Sequence, residues 1–327
     1  RPFMLAHPLA DPDSVSPATH AAEWKWDGIR AMAATTPAGR RLFSRDGNDI
    51  GAAFPELAGA LDVPAVVDGE LLVRGPDGQP APFSALAARL NRKAPDGALL
   101  RSAPAFLRLY DLLIDGTEDL RGAPWDVRRA RLERLVGRLD PARFDLSPLV
   151  PFDDGRRLAE LRAHPPHPAI EGLMLKRRDS PYVAGRVTGL WWKWKKAPMV
   201  ADCVLMYAQR GHGRRSGLYS DFTFGAWQEG ELLPVGKAYF GFTDRELKWL
   251  DKWVRDHTVA RFGPVREVEK QLVLEIAFEG LAESRRHKSG LAMRFPRIAR
   301  IRADKPAAEA ETLAGLRRLG GLSDPLS

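Results

Sequence analysis

Glu23-Trp24-Lys25-Trp26-Asp27-Gly28-Ile29-Arg30 is the stretch that decides how this chain is read. Lys25 lies on a strand-like run, and two residues later Asp27-Gly28 ends that run in a turn that glycine forms at least cost. A lysine acts as a nucleophile only when its amine is neutral, which requires burial or a neighbouring cation. Arg30 and the lysines further along supply such a positive field. The same residues also fit a tight hairpin at Asp27-Gly28 with solvated charges on either side. The octapeptide alone does not choose between the two.

Five more segments follow it in order. Ser44-Arg45-Asp46-Gly47 puts an arginine on a turn, suited to a phosphate. Asp68-Gly69-Glu70 closes a β-run with a carboxylate. Tyr110-Asp111-Leu112-Leu113 ends another strand with an aromatic ring able to stack on a purine. In Glu171-Gly172-Leu173-Met174-Leu175-Lys176, an acid stands at a strand entry with a lysine at its far end. Trp192-Lys193-Trp194-Lys195 alternates, so Lys193 and Lys195 share one face of a strand. Two lysines on one face repel unless an anion sits between them, and a phosphate is the natural guest.

Taken together and in this order, the segments resemble the nucleotidyltransferase superfamily of DNA ligases, RNA ligases and mRNA-capping enzymes. Lys25 to Arg30 looks like its first motif, Ser44 to Gly47, Asp68 to Glu70 and Tyr110-Asp111 like the next three. Glu171 to Lys176 and Lys193 to Lys195 look like the two after them. Arg294-Phe-Pro-Arg-Ile-Ala-Arg-Ile-Arg-Ala-Asp-Lys305 resembles the closing motif of ATP-dependent DNA ligases. Gly211 to Arg215, Gly236-Lys237 and Gly241 to Leu247 resemble their OB domain. The wording is most similar to the larger bacterial ATP-dependent ligases, which carry a helical DNA-binding domain before the catalytic core. Met4-Leu-Ala-His-Pro-Leu9 resembles the start of their adenylation domain, so Arg1 is expected to mark a truncation that leaves that N-terminal domain out.

The resemblance implies the chemistry. Lys25 takes AMP from ATP, which is then held as AMP or lysyl-AMP. Lys193 and Lys195 neutralise the α-phosphate. Arg297, Arg300, Arg302, Asp304 and Lys305 are brought toward the departing pyrophosphate. Arg45 clamps the 5′-phosphate of a nick, and Asp27, Glu70 and Glu171 hold Mg²⁺ or Mn²⁺, a hard cation suited to carboxylates. Tyr110 stacks on adenine, Glu23 lies at the base edge, Arg30 and Glu70 reach the ribose, and Lys176 joins the nucleotide site. Basic loops at Arg210, Arg214, Arg215 and at Arg285, Arg286, Lys288 are expected to touch DNA phosphates without reading sequence.

Length and composition agree with this expectation. The 327 residues are ample for two cores, with 44% hydrophobic and 28% charged residues and a net charge of +8 that favours an acidic partner. The expected partner is nicked double-stranded DNA, bound by a monomer. No apolar run spans a bilayer, so no membrane is expected. A single cysteine, Cys203, excludes an internal disulfide and the four-cysteine zinc site of NAD-dependent ligases, and it fits a reducing bacterial cytoplasm. The expected fold is α+β. An adenylation domain with antiparallel sheets and flanking helices occupies residues 1–197, and an OB-fold barrel with a short C-terminal helical tail occupies 198–327. The tail is read as a helix beginning at Pro306. An RNA ligase and a non-catalytic OB-type nucleic-acid binder are the competing readings. The first is disfavoured by the closing motif, and the second has no use for Lys25.

Overall fold

The computed structural model describes residues 2–90, 92, 94–211, 216–284 and 286–322. The chain divides into two compact units, Arg1–Lys196 and Ala197–Ser327. Arg214, Arg215 and Arg285 lie outside the described residues.

The first unit holds two sheets. One runs in the order Gly39–Ser44, Ile29–Thr36, Ala65–Val73, Ala105–Asp115, Glu118–Asp119, with Phe144–Leu146 alongside Ala105–Asp115. Its central strand, Ala65–Val73, is buried along nearly its whole length, including Asp68, whose carboxylate is held by Arg30. The other sheet runs His7–Pro8, Trp191–Lys195, Ile170–Arg177, His20–Trp26. The helix Trp125–Val136 packs Leu132 and Leu135 into the first sheet's core, and its fully buried Arg128 is held bidentately by Asp111 at 2.7 and 2.9 Å.

The octapeptide is therefore no hairpin. His20–Trp26 pairs with Ile170–Arg177, whereas Ile29–Thr36 pairs with Gly39–Ser44 and Ala65–Val73. The chain crosses from one sheet to the other at Asp27-Gly28. Glycine is needed there for a reason other than the one expected. Gly28 has an ordinary backbone conformation, but a Cβ on it would lie 2.5 Å from the Leu71 carbonyl oxygen and 2.9 Å from Glu70 Cγ. Close approach to the neighbouring strand decides the residue.

The second unit is built around the long strand Met199–Arg210. Its first half pairs with Val273–Phe278, its second half with Val265–Val268, and Tyr219–Gln228 runs along its other edge. Its pairing with Tyr219–Gln228 shifts register between Leu205 and Tyr207, and a bulge of this kind bends the strand. Glu231–Ala238, Thr258–Phe262 and Arg297–Arg302 extend it, and Gly280–Glu283 pairs with Leu291–Arg294 separately. The sequence pattern marks five of these strands, at Val200 to Gln209, Ser220 to Gln228, Leu232 to Gly241, Gln271 to Glu279 and Pro296 to Arg302, and gives no sign of the short Thr258–Phe262, Val265–Val268, Gly280–Glu283 and Leu291–Arg294. The helix Asp244–Asp256 begins at a reciprocal cap between Thr243 and Glu246, and buries Leu247, Leu250 and Val254 against Phe222 and Phe224. The tail differs from expectation. Residues Ala307–Glu309 form one short turn, and the helix proper, Leu313–Leu319, starts where the Thr312 side chain accepts from the Gly315 N–H.

Candidate active site

Directly paired residues of antiparallel strands share a face, so register builds the first unit's site row by row. Lys25 lies opposite Gly172, and Gly172 opposite Lys195. One row back, Glu23, Met174 and Lys193 align. Behind them come Ala21, Lys176 and Trp191. Gly172 lies at φ +150°, and a Cβ there would meet the Trp194 carbonyl oxygen at 2.2 Å. The place between the two lysines thus admits only hydrogen. Glu171 serves both: its carboxylate is ion-paired with the Lys25 ammonium and accepts from Lys195 Nζ at 3.2 Å. Burial pushes the Glu171 carboxyl up, but Lys25 and Lys195 outweigh it and hold the group below the usual carboxylate range.

Positive charge converges on this corner. Burial, and then the charges of Arg186, Lys25, Lys195 and Arg45, hold the Lys193 ammonium below the ordinary lysine range. Arg45 is exposed, on a turn closed by the Gly47 N–H donating to the Ser44 carbonyl oxygen at 2.9 Å. Arg186 was not anticipated. Like charges gathered in this way await an anion.

The six-stranded sheet forms the other wall. Arg30 is locked by Asp68, donating from Nε and Nη2 at 3.1 and 2.6 Å, and donates from Nη1 to the Met4 carbonyl oxygen at 2.5 Å. The Tyr182 hydroxyl donates to the same Asp68 carboxylate at 2.7 Å. Neither Tyr182 nor the side chain of Asp68 figured in the expected site. Glu70 stands beside them, half-buried, its carboxyl pushed up to about 7 by burial, against Lys25 and Arg30 and with help from Glu171 and Asp68. The Tyr110 ring is half-buried, 5.7 Å from the Arg30 guanidinium and 4.6 Å from Lys176 Nζ.

Glu23 and Lys176 are brought together as a buried pair. Both side chains are 1% exposed, Lys176 Nζ is 2.5 Å from Glu23 Oε2, and Arg129 Nη1 donates to Glu23 Oε1 at 3.0 Å. Burial pulls the Lys176 ammonium down from its ordinary range, and Glu23 only partly restores it. The pair lies beneath the site's surface. Asp27 sits at the edge of the site, its charge acting on Lys196. Among the described residues, no three His, Cys, Asp or Glu side chains converge as a metal-holding group. Mg²⁺ needs only one or two carboxylates when substrate phosphates complete its shell. Glu70, whose carboxyl is pushed up to about 7 chiefly by burial, and Glu171, already paired with Lys25 and Lys195, are the carboxylates at hand for that partial role.

In the second unit, Arg302 is held by Asp304 at 3.0 Å and by Asp202 at 3.3 Å, and Lys305 Nζ donates to the same Asp202 oxygen at 2.8 Å. Arg300 lies opposite Glu275 and Arg297 opposite Ala277 on the strand Arg297–Arg302. Asp202, which holds both Arg302 and Lys305, was missed. It stands in the apolar run Val200 to Tyr207, with no charged neighbour in sequence to draw attention to it.

A lysine flanked by phosphate-seeking cations, on one of two sheets, in a chain whose second unit is a curled antiparallel sheet, defines an α+β enzyme core that handles nucleotides. The comparisons make this specific. Residues 3–195 match the family of the ATP dependent DNA ligase domain, and residues 215–305 match the ATP dependent DNA ligase C terminal region. A probable DNA ligase of Koribacter versatilis is 37% identical over 95% of the chain and 58% of its own length. One from Opitutus terrae is 38% identical over 94% of the chain and 34% of its own length. Among solved structures, the mycobacterial DNA ligase D complexed with ATP and MES is 26% identical, with a TM-score of 0.52, covering 95% of this chain and 98% of that one. The chain belongs to the ATP-dependent DNA ligase domain family. Its fold is the nucleotidyltransferase unit followed by an OB-fold. It spans 58% and 34% of the length of these two curated relatives.

Proposed function

We propose that this chain is the catalytic core of an ATP-dependent DNA ligase that seals 3′-hydroxyl/5′-phosphate nicks, with residues 1–197 as the adenylation domain and 198–327 as the OB domain. The observation that carries the reading is the row Lys25, Gly172, Lys195 with Glu171 bridging both ammoniums. Lys25 Nζ attacks the α-phosphorus of ATP, forming the N–P bond as pyrophosphate leaves. Attack needs the neutral amine, and Glu171 holds that amine in place. Lys193 and Lys195 take the negative charge of the α-phosphate, and Arg302, Asp304 and Lys305, with Arg297 and Arg300, serve the pyrophosphate. AMP then passes to the 5′-phosphate, for which Arg45 is the clamp and Arg186 its neighbour. The 3′-hydroxyl finally displaces AMP. Tyr110 stacks on the base, and Arg30 and Glu70 serve the ribose, while Glu23 and Lys176 shape the base pocket from beneath. A divalent cation bound by Glu70, Glu171 and Asp27 would spread charge on the phosphates.

No helix of the described residues is long and apolar enough to cross a membrane. A monomeric state, a bacterial cytosolic location and a DNA-binding domain supplied outside this chain belong to the same proposal. The test uses a duplex with one nick, offered in parallel with DNA or RNA on either side of it. Sealing of the DNA nick, dependent on ATP, Mg²⁺ and a 5′-phosphate, is expected. Sealing confined to RNA ends would replace the reading with an RNA ligase.

A further inference from the structure

Asp202 is the one charged residue between Val200 and Tyr207. In the strand register it lies directly opposite Glu275, and Glu275 lies opposite Arg300 on the next strand. Two residues along, Val204 aligns with Val273 and Val273 with Arg302. Alternate residues of a strand share a face, so Asp202, Glu275, Arg300 and Arg302 occupy one face of three neighbouring strands. Two carboxylates placed opposite each other destabilise a strand pair unless a cation answers them. Arg302 Nη1 is that cation, 3.3 Å from Asp202 Oδ2 and 4.0 Å from Glu275 Oε2.

The carboxylate does more than balance its neighbour. Lys305 Nζ donates to the same Asp202 Oδ2 at 2.8 Å, so one oxygen holds both cations side by side. Asp202 Oδ1 is buried with no hydrogen-bond partner among the described residues. The Asp202 side chain is 15% exposed, against 59% for Asp304, which accepts from Arg302 Nε and Nη2 at 3.1 and 3.0 Å. An exposed pair such as Arg302–Asp304 exchanges for a ligand at little cost, whereas Asp202 is fixed. Its backbone is tied as well. The Asp202 carbonyl oxygen accepts from the Glu311 N–H at 2.8 Å, and the Lys305 N–H donates to the Arg302 carbonyl oxygen at 3.1 Å. The chain leaving the strand Arg297–Arg302 is thus folded back onto Asp202.

The geometry points to Asp202 as a positioning residue for the formation of lysyl-AMP, one that presents Arg302 and Lys305 together to the two terminal phosphates of ATP. Two cations on one anchored oxygen lie side by side, as oxygens of adjacent phosphates require. A guanidinium held at Nη1 keeps Nε and Nη2 as a parallel fork for one phosphate, on the edge that Asp304 covers. A lysine without such an anchor would lose side-chain entropy on each encounter. The inference rests on the ligase reading for the identity of the phosphate donor.

The test compares the parent chain with Asp202→Asn, which keeps the volume and removes the charge, and Asp202→Glu, which keeps the charge and moves it. Single-turnover formation of lysyl-AMP is followed against ATP concentration, and its reversal against inorganic pyrophosphate. Sealing of a pre-adenylated nick is the step in which pyrophosphate has no part. Asp202→Asn should weaken half-saturation by ATP and by pyrophosphate about tenfold or more, the worth of a lost charge-assisted contact, and leave sealing within about twofold of the parent. Asp202→Glu should fall between the two. Added to Lys305→Met, the Asp202→Asn change should cost less than it does alone, because part of its effect runs through Lys305. Urea denaturation of the same proteins reads stability separately. Equal losses in all three assays, or lost stability with both half-saturations unchanged, show a merely structural residue and overturn the proposal, as does faster labelling of Asp202→Asn. A parent that takes no label from ATP overturns the ligase reading itself. A parent that labels, while both Asp202 variants match its ATP and pyrophosphate dependence, overturns this inference alone.

Discussion

Lys176→Met removes one half of the buried Glu23–Lys176 pair and asks whether that lysine is there for the proposed nucleotide site or for the fold. Both partners are 1% exposed and 2.5 Å apart. Breaking a buried pair by deleting one member costs about 3–5 kcal/mol, because the other charge is left uncompensated. Arg129 remains 3.0 Å from Glu23, and methionine fills most of the vacated space among Tyr110, Trp125 and Trp191. The lower end, about 3 kcal/mol, is therefore expected. For a unit of this size that corresponds to roughly 6–12 °C in Tm. The double variant Lys176→Met/Glu23→Gln removes the orphaned charge and should recover a substantial part of the loss. Urea denaturation of parent, single and double variants measures both numbers. A single variant within 1 kcal/mol of the parent, or a double variant no better than the single, would refute the structural account of the pair.

Gly172→Ala should cost on the order of 4 kcal/mol in denaturation and also slow labelling, since its Cβ meets the backbone between Lys25 and Lys195; a stable, fully active variant would show that the row is not as drawn. Glu70→Gln tests a sign. A carboxyl raised to about 7 makes the folded parent lose stability as pH rises from 4.5 through 7, so the variant should gain on it across that window by at most about 3 kcal/mol and match it below. A gain that shrinks as pH rises contradicts this. Arg302→Ala and Lys305→Ala are expected to slow formation of lysyl-AMP far more than sealing of a pre-adenylated nick, because pyrophosphate has left by then; equal losses in both assays would remove them from the first step.

Much of the site was legible because its residues travel in short, ordered segments. Lys193 and Lys195 share a face by strand alternation alone, and the structure keeps them there. What escaped was set by partners distant in sequence. The crossing of the chain between sheets at Gly28 depends on where Ile170–Arg177 and Ala65–Val73 come to lie, which local pattern does not encode. Arg186, Tyr182 and Asp202 stand alone between motifs and acquire meaning only through Lys193, Asp68 and the Arg302–Lys305 pair. Glu23 and Lys176 show the opposite case. Charged residues at motif positions looked exposed to ligand, yet mutual neutralisation let the fold bury both.

The central claim is that Lys25 is the nucleophile, and it is tested most directly by incubating the protein with α-labelled ATP and Mg²⁺, then denaturing it and resolving it on a gel. The parent is expected to carry the label covalently, on the peptide containing Lys25, and to release it on addition of pyrophosphate. Lys25→Ala should carry none, and Lys25→Arg should also fail, because a guanidinium stays protonated. Labelling of Lys25→Ala at the parent's rate, or label found on another peptide, would contradict the account.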